Sequence, residues 1–67
     1  MRTTAIVGDT IRIINMEGEP QYAGKIGIIT HINPAYPPLR ILEQWHGTWG
    51  GCAIQPERDT YEILEHA

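Results

Sequence analysis

The run Trp45-His46-Gly47-Thr48-Trp49-Gly50-Gly51-Cys52-Ala53-Ile54 constrains the fold of this chain more than any other segment. Two tryptophans flank a glycine at alternate positions, and a Gly-Gly pair follows. Alternation puts every second side chain of a strand on one face, and paired glycines supply the positive φ angles of a tight hairpin. A loop made of Gly50 and Gly51 sets Trp49 opposite Cys52, Thr48 opposite Ala53, Gly47 opposite Ile54 and His46 opposite Gln55. Trp45, Gly47, Trp49, Cys52 and Ile54 then share one face, with Ile54 over the bare Gly47 between two large rings. Large against small is how a protein interior reaches its density. His46, Thr48, Ala53 and Gln55 fall on the opposite face. The segment reads as the packing centre of a small β-structure.

The rest of the chain supplies further strands. Gly8-Asp9 is a turn signal, and Thr10–Ile14 is rich in β-branched residues, with Ile11 and Ile13 on one face and Arg12 on the other. Residues 15–24 form a long surface loop carrying Glu17, Glu19 and Tyr22. Lys25–Ile32 is a strand bent at its glycines, Gly24 and Gly27. Pro34, Pro37 and Pro38, with Tyr36 among them, make residues 33–38 a stiff connector. Leu39–Trp49 resumes a strand, Cys52–Gln55 returns, Pro56–Asp59 fits one helical turn with proline at its first position, and Tyr61–Leu64 closes. No apolar period of 3.6 is sustained long enough for a helix. The prediction is an all-β chain: five strands in a small, strongly bent barrel with one short 3-10 turn. At 67 residues there is room for one domain; it is assigned to residues 8–64, between flexible tails at 1–7 and 65–67.

Several chemistries are disfavoured. One cysteine permits no intrachain disulfide, which fits a reducing, cytoplasmic setting. Cys52, His31, His46 and His66 lack the close spacing of zinc ligands, so no metal or other cofactor is expected. Cys52 and His46 lie on opposite faces of the hairpin, out of reach as nucleophile and base. Glu57, Asp59 and Glu62 read as acids of a solvated turn, and Gly24-x-x-Gly27 lacks the Lys-Ser/Thr ending of a phosphate loop. No catalytic residue is assigned. The opening residues lack the apolar stretch of a signal peptide, and nothing approaches membrane-spanning length. Net charge is −3, which repels phosphate and weighs against a duplex-binding role.

The order of motifs resembles a known fold type. Gly8-Asp9-x-Ile11-x-Ile13, Gly24-x-x-Gly27-x-Ile29-x-x-Ile32, a strand ending in Trp49 with a glycine turn, and Tyr61-x-Ile63 are similar to the SH3-like small barrels, the second piece to the KOW-type pattern. More closely, the chain resembles a family of short bacterial and phage proteins of unknown function, through the opening, the His46-Gly47-Thr48-Trp49 hairpin and the ending Pro56-x-x-Asp59-x-Tyr61-Glu62-Ile63. The match spans residues 8–64. It implies a five-stranded bent barrel and transfers no catalytic residue. The connector departs from the pattern, carrying three prolines where related chains have a short acidic-glycine turn.

The function expected is that of a non-enzymatic module docking a protein or peptide partner. Function concentrates on loops, so the candidate contacts are Tyr22, Tyr36, Glu17 and Glu19, with the outward His46. The alternative is a KOW-like nucleic-acid-binding module using Lys25, His31 and Arg40, with Tyr36 as a stacking ring.

Overall fold

The computed structural model describes residues 5–67. Its strands are β1 (Thr10–Asn15), β2 (Ile26–Asn33), β3 (Gln44–Gly47), β4 (Gly50–Ile54) and β5 (Thr60–Glu65). They form one antiparallel sheet in the order β4-β3-β2-β1-β5. The described residues contain no α-helix, and the chain is all-β as the alternating pattern requires. Strand β2 is the spine. Its first half pairs with β1, Thr10 opposite Ile28 and Arg12 opposite Ile26, and its second half pairs with β3, Ile29 opposite Gly47 and Asn33 opposite Gln44. Strands β4 and β5 are the two edges, and the sheet is not closed between them.

The core lies on the inner face of the bent sheet. Ile11 and Ile13 of β1, Ile29 of β2, Trp45 of β3 and Ile54 of β4 are all essentially without solvent contact, as period-2 alternation demands. Trp49 joins them, and Tyr61 of β5 meets Trp45 edge to face at 4.8 Å between ring centroids. Cys52 and Ile63 pack around this cluster.

The hairpin departs from the expected register. The turn is Thr48-Trp49, not Gly50-Gly51: Gly47 pairs with Gly50, and Trp45 pairs with Ile54. Gly51, Cys52 and Ala53 therefore stand against the single His46. Ile54 faces Trp45, and Gly47 is covered instead by the ring of Trp49. A Cβ at Gly47 would overlap Trp49 Cζ3 and lie 2.5 Å from the Ile28 carbonyl oxygen. The indole Nε1 of Trp49 donates to the Cys52 carbonyl at 2.7 Å, which folds the ring back over the glycine.

Other boundaries shift for identifiable reasons. Two isolated 3-10 turns form, at Pro20–Tyr22 and Pro37–Leu39, in place of the one expected at Pro56–Asp59. Each starts on a proline, whose fixed φ and missing donor suit the first helical position. Leu39–Glu43 is not strand. Met16, in the loop after β1, is buried in the core.

Residues on either side of the sheet also make contacts with it. Ala5 is buried in the core, and Asp9, fully buried, accepts hydrogen bonds from the backbone N–H groups of Ile6 and Ala67. His66 Nδ1 stands 3.5 Å from the same carboxylate. Strand β5 runs through Glu65. Residues 1–4 of the expected N-terminal tail lie outside the described residues.

Candidate functional site

The connector from β2 to β3 carries the most exposed large apolar side chain of the described chain. Leu39 is 70% exposed, Tyr36 53% and Ile41 46%. Apolar loop residues usually collapse or wander, but these are pinned. The Tyr36 and Ile41 backbones exchange two hydrogen bonds, at 2.9 and 3.2 Å, as an isolated bridge. Between them Leu39 N–H donates to the Tyr36 carbonyl and Arg40 N–H to the Pro37 carbonyl. Pro37 and Pro38 fix two φ angles of the same loop. Arg40 closes the turn at φ 59°, ψ 33°, and is the one non-glycine residue with positive φ among the described residues. A left-handed non-glycine costs about 1–2 kcal/mol, so the surrounding bonds hold Arg40 in a conformation it would not choose. Its guanidinium has no ion-pair or ring partner among the described residues.

The base of this loop is polar. His31 of β2 and His46 of β3 are cross-strand partners, with ring centroids 6.2 Å apart. Asn33 lies between them: His31 Nε2 is 2.7 Å from its Oδ1, and its Nδ2 is 3.3 Å from His46 Nε2. On the inner side Trp45 Nε1 donates to the Glu43 carboxylate. Thus Tyr36 and His46, both singled out in the sequence, belong to one end of the sheet. Leu39, Ile41 and Asn33 join them there and were not anticipated. By sequence pattern Leu39 reads as strand, and its place beside the double proline Pro37-Pro38 is the signal that it is not.

Tyr22, Glu17 and Glu19 lie elsewhere. Tyr22 is half-buried against the core, its ring covers Gly50, and Lys25 Nζ stands 5.7 Å from the ring centroid. Glu17 pairs with Arg58 at 3.0 Å, and Glu19 accepts from the Gln21 carboxamide. Asp59, read as a solvated acid, is buried and accepts the Glu17 and Gln55 N–H groups at 2.9 and 2.8 Å. It ties the loop after β1 to the turn before β5.

The basic residues are dispersed. Arg12 pairs with Glu62 at 3.1 Å across β1 and β5, Arg58 with Glu17, and Lys25 precedes β2 while Arg40 follows its far end. Cys52 is half-buried, and burial first, then the charges of Glu19 and Asp59, push its thiol above the ordinary value. That disfavours the thiolate a nucleophile needs. The described residues enclose no cleft, and none of their helices is long and apolar enough to cross a membrane. Comparison with protein-family models, curated proteins and solved structures finds no match for the chain.

Proposed function

We propose that the chain is a non-enzymatic binding module of the SH3-like, KOW-type small-barrel kind. In this reading it docks an extended peptide segment of a protein partner on the loop Tyr36–Ile41 and the adjoining His46. The strand order, with β1 paired to β5 and β2 shared between two ladders, supports the barrel reading. The family resemblance of residues 8–64 stands with it as a proposal, and so does a cytoplasmic setting, which the single Cys52 supports.

One observation carries the functional reading: an apolar loop tip that is both exposed and pinned. Exposed apolar area left in water is a cost to the free protein and a gain on association. A loop already held in one conformation by prolines and hydrogen bonds loses little entropy on binding. Arg40, unpaired between Leu39 and Ile41, adds a preference for a carboxylate beside the partner's apolar anchors. The partner class is therefore a peptide that mixes apolar and acidic residues. The nucleic-acid alternative finds no such support. Lys25 stands just before β2 and Arg40 in the loop that follows it, at opposite ends of that strand, and His31 faces His46 rather than joining either cation.

The test starts from peptides selected on the folded protein from a random display library and titrated into 15N-labelled protein. Saturable amide shifts centred on residues 36–46 are expected, and Leu39→Ser should weaken binding about tenfold, the worth of one exposed apolar anchor. Shifts centred on the outer-face residues Ile26 and Ile28, equal affinity for Leu39→Ser, or no selectable binder would overturn the reading.

A further inference from the structure

The ladder between β2 and β3 contains one irregularity, between Ile29 and His31. Strict alternation from the buried Ile29 would aim His31 at the core. The shift instead leaves Thr30 and His31 both outside and lets Ile32 pack against the core. Bulges of this kind re-aim side chains and are common beside functional sites. Here the re-aimed side chain lands next to His46, the residue directly opposite it on β3.

The two rings are turned toward a common point. Their centroids are 6.2 Å apart with planes at 37°, and both Nε2 atoms address the Asn33 carboxamide, at 2.7 and 3.3 Å. The amide geometry fixes complementary roles. His31 Nε2–H donates to Oδ1, and His46 Nε2 accepts from Nδ2, so the His46 Nε2 lone pair points at the Asn33 amide. Asn33 and the exposed His31 are the parts free to adjust.

We propose that His31 and His46 form a two-imidazole site for a divalent transition-metal ion, with Cu(II) bound most tightly and Ni(II) and Zn(II) more weakly. Imidazole nitrogen suits these three ions, and their affinity for such ligands peaks at copper. Bonds of about 2.0–2.1 Å from each Nε2 to zinc, a distance typical of imidazole ligation, require the Asn33 amide to swing aside, the rings to close in on the ion and His31 to carry its proton on Nδ1 instead of Nε2. Both ligands stand on paired strands, which hold position better than loops do. No third His, Cys, Asp or Glu gathers with them among the described residues, so the remaining coordination positions are open to water or to a ligand brought by another molecule.

The probe is Cu(II) added to the full chain, followed by isothermal titration, by electron paramagnetic resonance and by broadening of amide resonances. The expected result is one ion per chain, a nitrogen-coupled copper spectrum, and broadening centred on His31, Asn33 and His46. His31→Gln and His46→Gln should each weaken binding roughly tenfold or more, since even an outer-shell partner is worth that much at a metal site. His66→Gln and Cys52→Ser should leave the affinity within about twofold, far below that ligand-loss effect. Should His46→Gln fail to fold, the exposed His31→Gln decides. Unchanged affinity in His31→Gln, or broadening centred on His66, Cys52 or the chain start, overturns the assignment.

Discussion

Replacing Gly47 with alanine adds one methyl group where no space exists. The new Cβ would lie 2.5 Å from Trp49 Cη2, closer still to Cζ3, and 2.5 Å from the Ile28 carbonyl oxygen. Carbon atoms rest at about 3.5–4.0 Å and Cζ3, the nearest indole carbon, would stand far inside that, so the ring must retreat by roughly 1.5 Å. Neither neighbour yields easily. The Ile28 carbonyl accepts the Thr48 N–H at 3.1 Å, and the Trp49 ring is tied through Nε1 to the Cys52 carbonyl. Overpacking of this kind costs about 1–3 kcal/mol, and loss of the indole hydrogen bond adds about 1 kcal/mol. The expected total is about 3 kcal/mol, a fall in Tm of roughly 10–20 °C for a domain of this size. Gly51→Ala is the control, because a Cβ there meets nothing within 4 Å. It should be neutral or stabilising by about 0.5 kcal/mol through the unfolded chain. Urea unfolding followed by tryptophan fluorescence measures both. A Gly47→Ala protein within about 0.5 kcal/mol of the parent, the range of an ordinary surface substitution, would refute the placement of Trp49 over the glycine.

Other substitutions probe the remaining contacts. Asp59→Ala removes the acceptor of the partly buried N–H groups of Glu17 and Gln55 and should destabilise by about 1–3 kcal/mol in the same assay. A double-mutant cycle on Arg12 and Glu62, both about half exposed, should return a coupling of no more than about 0.5 kcal/mol. Alkylation of Cys52 by iodoacetamide should keep accelerating above the pH at which an ordinary thiol levels off, because desolvation raises its pKa. The linked stability effect has a definite sign. The unfolded thiol ionises first, so stability is intact below the ordinary thiol value and falls as pH rises from there through the raised folded value. Cys52→Ala should flatten that alkaline decline.

The inner face of the sheet was legible because its signal is local. Ile11 and Ile13, Ile29, Trp45 and Ile54 announce themselves by period 2, and β1, β2 and β5 begin and end within a residue or so of where β-branched runs give way to turn residues. The hairpin shows why faces are easier to read than pairings. Moving the turn from Gly50-Gly51 to Thr48-Trp49 changes which residues oppose each other, yet Trp45, Trp49 and Ile54 stay inside. A slip of two residues preserves the face that a slip of one would reverse. The start of β3 was not legible, because Leu39 and Ile41 look like strand residues while the prolines before them fold the chain into a 3-10 turn and an isolated bridge. The juxtaposition of His31 and His46 was out of reach for a different reason. It depends on the register between two strands and on a bulge that turns His31 outward, and neither leaves a local mark in the sequence. Asp9 and Asp59 likewise read as turn acids, since each pairs one local N–H, of Ile6 or Gln55, with one from far along the chain, of Ala67 or Glu17.

A preformed docking surface depends on Tyr36–Ile41 being exposed and yet held in one conformation. Backbone 15N relaxation of the free protein tests it directly. Order parameters for Leu39, Arg40 and Ile41 should match those of β2 and β3, near about 0.85, the value of rigid backbone. Values below about 0.6, those of a flexible loop, would contradict the claim and remove the basis for a preformed docking surface.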